Sequence, residues 1–511
     1  MTTNGARPLA AALVVLVLAA ACQATTTPTP STVPAPSATA AVASTDPVAS
    51  VPVSPSPNAP SPVPTTAPSA ATTAQEFPAS GEAGDVLFAP DGRIVMVTRD
   101  FKAARSQVAE LDANGAALDG WPWTAGDTGS PIATAALGPD RSVYVAVRGA
   151  SSESDYTWNL HRLDIVGNEL PGFPVALPPF VSCALSVAGD GAAYTACERV
   201  EDASGASTTI LSAVRPDGST QGGWPITLDG SATLDGFFPD GSVLARDATS
   251  KGAKLLVIRP DGSATHGWPR PTPDVGDAVV DASGRVRITS RTWGDGECGA
   301  ATGTTYSVLG TDGAVLPGWP VHLKGWASDP LVADDGSMTI VTNTGKALRY
   351  GLDGKAAAGW TASTVDVAVG CYSGSSPVDA GGGETAVVGG TVTLLGASGA
   401  PAAGWPAKLS YPAANDCPGC TPGPGAPLAP AIGADALYVA DYGGDRPRIV
   451  TLSRDGALAA GGPRVVGEAG EEIGWIRIAP AGRVWMLLTQ HLDDSTTSRI
   501  VPVAEGTALG G

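Results

Sequence analysis

The segment Trp326–Thr364, WASDPLVADDGSMTIVTNTGKALRYGLDGKAAAGWTAST, shows the pattern that governs most of the chain. Short apolar runs alternate with two glycine turns, in the order Leu331-Val332, Asp334–Gly336, Met338–Thr342, Ala347–Tyr350, Asp353-Gly354 and a last run through Trp360. Short β-branched and aromatic runs joined by Asp-Gly pairs are typical of antiparallel hairpins. The segment therefore predicts four antiparallel strands.

Two signatures repeat from Phe77 onward. The first is a glycine turn between apolar runs, with its clearest copy at Phe88–Val95 and others centred on Asp140, Gly191, Gly241, Gly284, Gly336, Gly383, Asp435 and Gly482. The second is Gly-Trp-Pro or a variant, found at Trp121, Phe173, Trp224, Trp268, Trp319, Trp360 and Trp405, and in degraded form at Gly462-Pro463. Four strands in each repeat of about 45 residues match one blade of a β-propeller.

The repeats predict an all-β fold, because no segment of helical length with a 3.6-residue period lies between the turns. We assign a single β-propeller of four-stranded blades to residues 76–506. The segment Glu76-Phe77-Pro78 matches Gly172-Phe173-Pro174, so we expect this N-terminal strand to complete the C-terminal blade. The two signatures then predict eight or nine blades, and the count favours nine.

The Trp-Pro pairs predict how neighbouring blades meet. Proline cannot donate to a hydrogen-bond ladder and is therefore confined to edge positions, such as the outermost strand of a blade. The adjacent indole offers a large apolar surface that can cover the gap to the next blade. We interpret the repeated tryptophans as packing residues, the alternative being a platform for a sugar or a quinone.

The repeats across about 77–506 resemble two groups of bacterial propellers. Leu316–Val321, LPGWPV, resembles the integrin-α-like (FG-GAP) and VCBS repeats of secreted proteins, and the Pro-Asp-Gly hairpins resemble pyrroloquinoline-quinone-type and NHL-type propellers. The first resemblance implies calcium loops of alternating acidic residues, and the second implies a quinone held beside a calcium and adjacent cysteines. The sequence contains neither feature, so calcium and pyrroloquinoline quinone are unsupported, and we predict no cofactor and no metal.

The N-terminus predicts export and membrane anchoring. Arg7 precedes an apolar run, Leu9–Ala21, of the length typical of a signal peptide. The sequence Leu18–Cys22, LAAAC, resembles the cleavage site of bacterial lipoprotein signal peptides, which implies removal of residues 1–21, acylation of Cys22 and attachment to the outer face of the cell membrane. The alternative is an ordinary secretory signal with an incidental cysteine.

Residues 22–75 form a Pro/Thr/Ser/Ala-rich segment in which Asp46 is the only charged residue. Such a composition cannot build a core, so we predict a disordered tether, with a short tail at 507–511.

The whole chain has 30 Lys and Arg against 49 Asp and Glu, a net charge of −19. This charge argues against nucleic-acid binding, and we expect a monomer.

Besides Cys22 the chain has six cysteines, an even number that suggests disulfides in an exported domain. Cys183 and Cys197 flank the Gly191 turn, which predicts a bridge between paired strands. The pair Cys417 and Cys420 lies in a Pro/Gly-rich segment and leaves Cys298 with Cys371 by elimination. The Cys-x-x-Cys spacing also fits a redox centre or half a zinc site.

Candidate catalytic residues are scarce. The four histidines, His161, His266, His322 and His491, show no metal-ligand spacing, and Gly370–Gly374 lacks the frame of a nucleophile elbow. We assign no catalytic residue.

The sequence therefore favours a membrane-anchored, non-catalytic binding or scaffold lipoprotein for a protein or glycan ligand. We expect the ligand on a propeller face or on the longest insertions, Ala150–Trp158, Glu201–Ser207, Trp293–Thr304 and Tyr411–Pro427. The alternatives are a quinoprotein-like dehydrogenase or glycan-active propeller enzyme, and an assembly factor for envelope proteins.

Overall fold

The computed structural model describes residues 77–503 apart from short stretches, namely 80, 126–131, 153–154, 201–206, 250–251, 273–275, 295–300, 368–374, 410–427, 442–445, 460–461, 481 and 493–494. The predicted signal peptide, Cys22, the tether and the tail lie outside the described residues. Among the described residues no helix is long and apolar enough to span a membrane. All regular elements described are β-strands.

These strands form nine four-stranded antiparallel sheets arranged as the blades of a closed ring, which confirms the predicted propeller and fixes the blade number at nine. The first strand, β1 (Phe77–Ala79), is separated in sequence from its own sheet and is described below with the last blade. In every other blade the chain runs from the innermost strand outward. The outermost strand is short in every blade, with two to four residues.

The first four blades follow β1 in chain order. Blade 1 contains β2 (Glu82–Phe88), β3 (Ile94–Asp100), β4 (Arg105–Leu111) and β5 (Trp123–Thr124). Blade 2 contains β6 (Ala133–Leu137), β7 (Val143–Ser152), β8 (Asp155–Leu163) and β9 (Val175–Leu177). Blade 3 contains β10 (Ser182–Val187), β11 (Ala193–Val200), β12 (Ser207–Val214) and β13 (Ile226–Leu228). Blade 4 contains β14 (Ser231–Phe237), β15 (Val243–Thr249), β16 (Gly252–Ile258) and β17 (Arg270–Thr272).

The remaining blades continue the same order. Blade 5 contains β18 (Asp277–Val280), β19 (Val286–Trp293), β20 (Ala301–Leu309) and β21 (Val321–Lys324). Blade 6 contains β22 (Leu331–Val332), β23 (Met338–Val341), β24 (Lys346–Tyr350) and β25 (Ser363–Thr364). Blade 7 contains β26 (Pro377–Gly381), β27 (Glu384–Val388), β28 (Thr391–Leu395) and β29 (Ala407–Lys408). Blade 8 contains β30 (Ala431–Ile432), β31 (Ala436–Asp441), β32 (Arg448–Ser453) and β33 (Arg464–Val465).

Blade 9 closes the ring. It contains β34 (Glu471–Ile478), β35 (Val484–Leu492) and β36 (Ser495–Val503), and β1 supplies its outermost strand. Phe77 lies opposite Ile500 and Ala79 lies opposite Ser498 in an antiparallel register. The Ser498 hydroxyl also accepts a hydrogen bond of 3.0 Å from the backbone N–H of Ala83, at the start of blade 1. The N-terminal strand therefore joins the last blade to the first, as predicted.

The antiparallel order gives the ring two different faces. The first and third connections of each blade, which contain the glycine turns, lie on one face, which we call the hairpin face. The second connections and those between blades lie on the opposite face, the loop face. All four long insertions join strand ends at the loop face, and much of their length lies outside the described residues.

The core consists of apolar clusters between neighbouring blades. One cluster joins Val97 and Val108 of blade 1 to Val145 and Leu163 of blade 2, and Trp121 covers it with only 8% of its surface exposed. Another joins Leu211 and Trp224 of blade 3 to blade 4. Burial between sheets is therefore what holds the blades side by side.

The Trp-Pro pairs lie in the turn just before the outermost strand, which corrects their predicted position within it. For example, β13 begins at Ile226, directly after Trp224-Pro225, and the Trp224-Pro225 peptide bond is cis. In blade 6 the last strand is likewise Ser363–Thr364 and does not run through Trp360. A proline in this position precedes the ladder and removes no hydrogen bond from it.

In five blades the indole connects its blade to the next, as expected for packing residues; these indoles belong to Trp121, Trp224, Trp268, Trp319 and Trp405. The Nε1–H of Trp224 donates to the carbonyl oxygen of Pro260 at 2.9 Å, and that of Trp319 donates to Leu352 at 2.8 Å. Trp405 donates in the same way to Arg454, at 2.9 Å. Each acceptor lies in or beside the third-connection turn of the following blade, so this contact is a repeated feature of the ring.

Two of these third-connection turns make the folding stability of the protein depend on pH. In Asp217-Gly218-Ser219 and Asp261-Gly262-Ser263, the serine hydroxyl donates to the carboxylate at 2.6 Å and the serine N–H donates at 2.9 and 3.0 Å. These hydrogen bonds from the serine side chain and backbone lower the pKa of both aspartates below the usual 3.8. A lowered pKa in the folded state contributes stability above the unfolded pKa, and that contribution is lost as pH falls through the folded pKa.

We expect the thermal midpoint to fall as pH is lowered below about 4. The double variant Asp217→Asn, Asp261→Asn should show a shallower fall, because its turns no longer titrate. Thermal unfolding followed by circular dichroism between about pH 3 and pH 7 measures the effect. The variant Asp119→Asn, Asp229→Asn removes the same charge at exposed positions outside such turns, and equal slopes for the two variants would contradict the prediction.

Candidate ligand-binding channel

The nine innermost strands surround the axis of the ring, and their composition is strongly biased. They are mostly small or apolar, and Arg477 on β34 is the only lysine or arginine that they contain. Their carboxylates are Glu82, Asp85, Asp235, Asp277, Asp379, Glu471 and Glu472. Arg477 is therefore the one cationic side chain that these strands supply.

Two cavities open beside Arg477 at the hairpin-face ends of these strands. The axial cavity has a volume of about 630 Å³ and draws residues from blades 1, 2, 3, 4 and 9, namely Val86, Leu87, Phe88, Ala135, Ala136, Leu137, Leu185, Ser186, Val187, Phe237 and Arg477. The lateral cavity, of about 480 Å³, is lined by Phe88, Leu428, Ala429, Pro430, Ala431, Ile432, Trp475, Ile476, Arg477 and Ile478. Phe88 and Arg477 belong to both, and Arg477 is the only charged residue in either lining.

The surroundings of Arg477 leave most of its guanidinium donors available. Nη1 donates to the carbonyl oxygen of Val86 at 3.3 Å, which links blade 9 to blade 1. Cζ lies 5.2 Å from the ring centroid of Trp475, and the Trp475 ring meets Phe88 edge to face at 5.8 Å. Among the described residues, Arg477 forms no ion pair with a carboxylate, and its side chain is exposed. A guanidinium carries five N–H donors, so an incoming anion can still be bound.

Several innermost carboxylates already serve the architecture. Asp85 accepts hydrogen bonds from the Thr134 hydroxyl at 2.8 Å and the Ala135 N–H at 2.9 Å, which join blades 1 and 2. Glu471 receives two hydrogen bonds of 2.8 Å from Arg499, and these lower its pKa. They therefore act as links between strands and blades.

Asp235 differs from these carboxylates, because burial raises its pKa despite the nearby cation of Arg246, 3.2 Å away. The Asp277 carboxylate of the neighbouring blade raises it further. Asp235 lies outside both cavity linings.

Charge is distributed unevenly along the channel. Glu82, Asp277 and the pair Glu471-Glu472 occupy the first or second position of their strands, at the loop face. Arg477 is the seventh of eight residues in β34 and lies at the opposite end. Some carboxylates of the first-connection turns at that end pair with arginines, as Asp140 does with Arg162 at 2.5 Å. Others, such as Asp190 and Asp240, accept backbone N–H groups. Within the innermost strands, the one cation therefore lies at the hairpin-face end and several carboxylates lie at the loop-face end.

The predicted disulfide between Cys183 and Cys197 is present in the structure. The two residues lie directly opposite each other on β10 and β11, with an S–S distance of 2.07 Å. Cys298, Cys371, Cys417 and Cys420 lie outside the described residues, so their pairing stays a prediction.

The structure does not bring the histidines together. His161 contacts Glu169 at 2.6 Å, His322 contacts Thr305 at 2.9 Å, and each pair lies within its own blade. His491 lies on β35, and His266 precedes β17. In the described part of the chain, no group of three or more His, Cys, Asp or Glu is arranged to hold a metal ion. Gly370–Gly374 lies outside it.

No protein-family model and no curated protein matches this sequence. Among solved structures, virginiamycin B lyase from Staphylococcus aureus is 15% identical, with 62% of this chain and 93% of that chain aligned and a TM-score of 0.35. The β-propeller domain of the trilobed protease from Pyrococcus furiosus is 9% identical, with 64% and 93% aligned and a TM-score of 0.36. A eukaryotic initiation factor is 12% identical, with 85% and 90% aligned and a TM-score of 0.40.

These likenesses concern the propeller fold alone. The class of the protein follows from its own sheets, which form a nine-bladed β-propeller with a cavity lined by the innermost strands of five blades.

Proposed function

We propose that this chain is an exported, lipid-anchored, non-catalytic binding protein that takes its ligand into the axial cavity. The observation that carries the proposal is the wall that five blades build around one arginine, with every other lining side chain uncharged. Apolar residues with a few polar groups that fix orientation are typical of ligand sites.

The chemistry of the lining supports binding. Arginine stays protonated at every physiological pH and therefore donates hydrogen bonds and charge without exchanging its proton. The surrounding valine, leucine, alanine and phenylalanine side chains contribute contact area. Such a lining holds a ligand in place, and the described residues around it provide no acid–base pair.

The proposed anchor is compatible with access to this cavity. The chain reaches the ring at β1, whose first residue Phe77 lies at the hairpin-face end of the blade 9 rim. Residues 22–75, if extended as polyproline II, would span on the order of 160 Å. A tether of that reach would let the hairpin face lie far from the membrane.

The variant Cys22→Ser tests the anchor. Expressed at full length in a bacterium, the wild-type chain should incorporate labelled palmitate and sediment with membranes, because two or three acyl chains give stable attachment. The variant should do neither. Equal labelling and equal sedimentation of the two chains would contradict lipid anchoring.

A second experiment tests binding in the cavity. The full-length chain is purified from membranes, its bound small molecules are extracted, and the extracts are compared by mass spectrometry. Ala136→Trp fills the axial cavity, whereas Ala117→Trp places the same bulk at an exposed position outside it. We expect a ligand from the wild type and from Ala117→Trp that Ala136→Trp lacks; identical extracts from all three would overturn the proposal.

A further inference from the structure

We propose that the ligand of the axial cavity is an amphipathic anion, an apolar body that carries one carboxylate or phosphate group bound by Arg477. This inference rests on the proposed function of the cavity and specifies its ligand class.

The apolar part follows from the size and lining of the site. A volume of about 630 Å³ lies within the usual range of small-molecule sites, roughly 300–1,000 Å³. Leu137, Leu185, Val187 and Phe237 come from three successive blades and present aliphatic and aromatic surface to the same space. Burial of an alkyl chain or a ring system against this surface is favourable in proportion to the apolar area removed from water.

The anionic part follows from Arg477. Its planar guanidinium matches a carboxylate or a phosphate, with two parallel N–H donors for two oxygens. Arg477 Nη1 donates a hydrogen bond to the Val86 carbonyl oxygen, and this bond holds the guanidinium where the two cavities meet. The Trp475 ring beside Cζ supports the guanidinium from one side.

The charge of the whole chain explains why both parts are needed. A net charge of −19 disfavours the approach of any anion, most strongly a multiply charged one. The anionic group, with a charge of −1 for a carboxylate or about −1.5 to −2 for a phosphate monoester at pH 7, gains the contact with Arg477. The apolar body supplies the additional free energy that offsets the long-range repulsion. The carboxylates Glu82 and Glu472 at the loop-face end favour the opposite end for the anionic group.

Titration of the full-length protein with probes that share a twelve-carbon alkyl group tests the inference. The probes are dodecanoate, dodecyl phosphate, dodecanol and dodecyltrimethylammonium, each below its micelle concentration, with inorganic phosphate as the purely ionic probe. We expect the two alkyl anions to bind at least about 10-fold more tightly than the alcohol, as a charge-assisted hydrogen bond gives. The alkyl ammonium and inorganic phosphate should bind least. The ratio of dodecanoate to dodecyl phosphate affinity identifies the headgroup.

Variants at Arg477 separate the contribution of its charge to binding from that of its apolar contacts. Arg477→Met should weaken both alkyl anions about 10- to 100-fold and leave dodecanol unchanged, and Arg477→Lys should lie between. Arg259→Met, which removes an exposed arginine from another hairpin-face turn, should change nothing. Circular dichroism confirms that each variant is folded.

The outcomes distinguish this inference from the proposed function. In one outcome dodecanol binds as tightly as the two anions, Arg477→Met has no effect, and Ala136→Trp still abolishes binding. The cavity is then a binding site, but the assignment of an anionic ligand is wrong. If inorganic phosphate binds as tightly as dodecyl phosphate, the apolar requirement is wrong. If no probe binds and Ala136→Trp yields the same extract as the wild type, both proposals fail.

Discussion

Replacement of Gly223 by alanine is expected to destabilise the ring by about 2–5 kcal/mol, whereas the same change at the adjacent Gly222 should be nearly neutral. A Cβ on Gly223 would lie 1.9 Å from the backbone oxygen of Asp261 in the next blade, and φ at Gly223 is +81°. The left-handed conformation costs a side chain about 1–2 kcal/mol. Overpacking against backbone adds about 1–3 kcal/mol, because a backbone carbonyl cannot rotate away.

Gly222 is the matched control, since a Cβ there meets nothing within 4 Å. Denaturant unfolding of the two full-length variants beside the wild type measures the difference. The close approach recurs around the ring, for a Cβ on Gly318 or on Gly404 would lie 1.8 Å from the carbonyl oxygen of Asp353 or Asp455. Gly318→Ala should therefore behave like Gly223→Ala. Equal midpoints for Gly223→Ala and Gly222→Ala would show that the blades can separate locally at no cost.

This contact also explains why the sequence predicts the fold so well. The Gly-Trp-Pro signature and the second Asp-Gly turn are two halves of one interface, formed by Gly223 in blade 3 and Gly262 in blade 4. A propeller repeats that interface, so the same residues must recur at a fixed period. The periodicity reports the packing directly, and even the N-terminal Phe77-Pro78 match predicted the closing strand.

Finer features depend on geometry that the repeat does not encode. The outermost strands have only two to four residues, too few to produce an alternating pattern, so their start after the Trp-Pro pair was not predicted. Blade 6 shows the same limit: with Thr361 in place of proline, its strand still begins only at Ser363.

The candidate site was missed because it is assembled from distant segments. Arg477 and Val86 are 391 residues apart in sequence and meet only when the ring closes. In the sequence Arg477 is an ordinary polar position in the alternating run Ile476-Arg477-Ile478. Alignment of the nine innermost strands would have revealed it as their only cation. The length of the insertions can be read directly from the sequence, and it directed the prediction of a binding site to the loop face instead.

Loss of β1 is expected to lower the free energy of unfolding by about 2–4 kcal/mol, because it removes the backbone hydrogen bonds between Phe77–Ala79 and β36, each worth about 0.5–1.5 kcal/mol. The strand joins the ends of a chain of more than four hundred residues by pairing Phe77–Ala79 with β36. Closing the ring costs loop-closure entropy, which grows only slowly with loop length, so the contacts that β1 makes with β36 must exceed that cost. Without β1, blades 1 and 9 still meet through their shared apolar cluster, which includes Met96 and Trp485, and through the hydrogen bond from Arg477 to Val86.

A chain that begins at Gly81 should therefore unfold at a lower denaturant concentration than one that begins at Gln75, although they differ by six residues. The chain that begins at Gln75 is the control and should match the full-length protein, because it keeps every described strand. Removal of β1 also exposes the edge of β36, a strand of nine residues. Long unpaired edges recruit strands from other molecules, so size-exclusion chromatography should show association of the shorter chain. A monomer that unfolds at the control's midpoint would mean that packing between blades 1 and 9 closes the ring without β1.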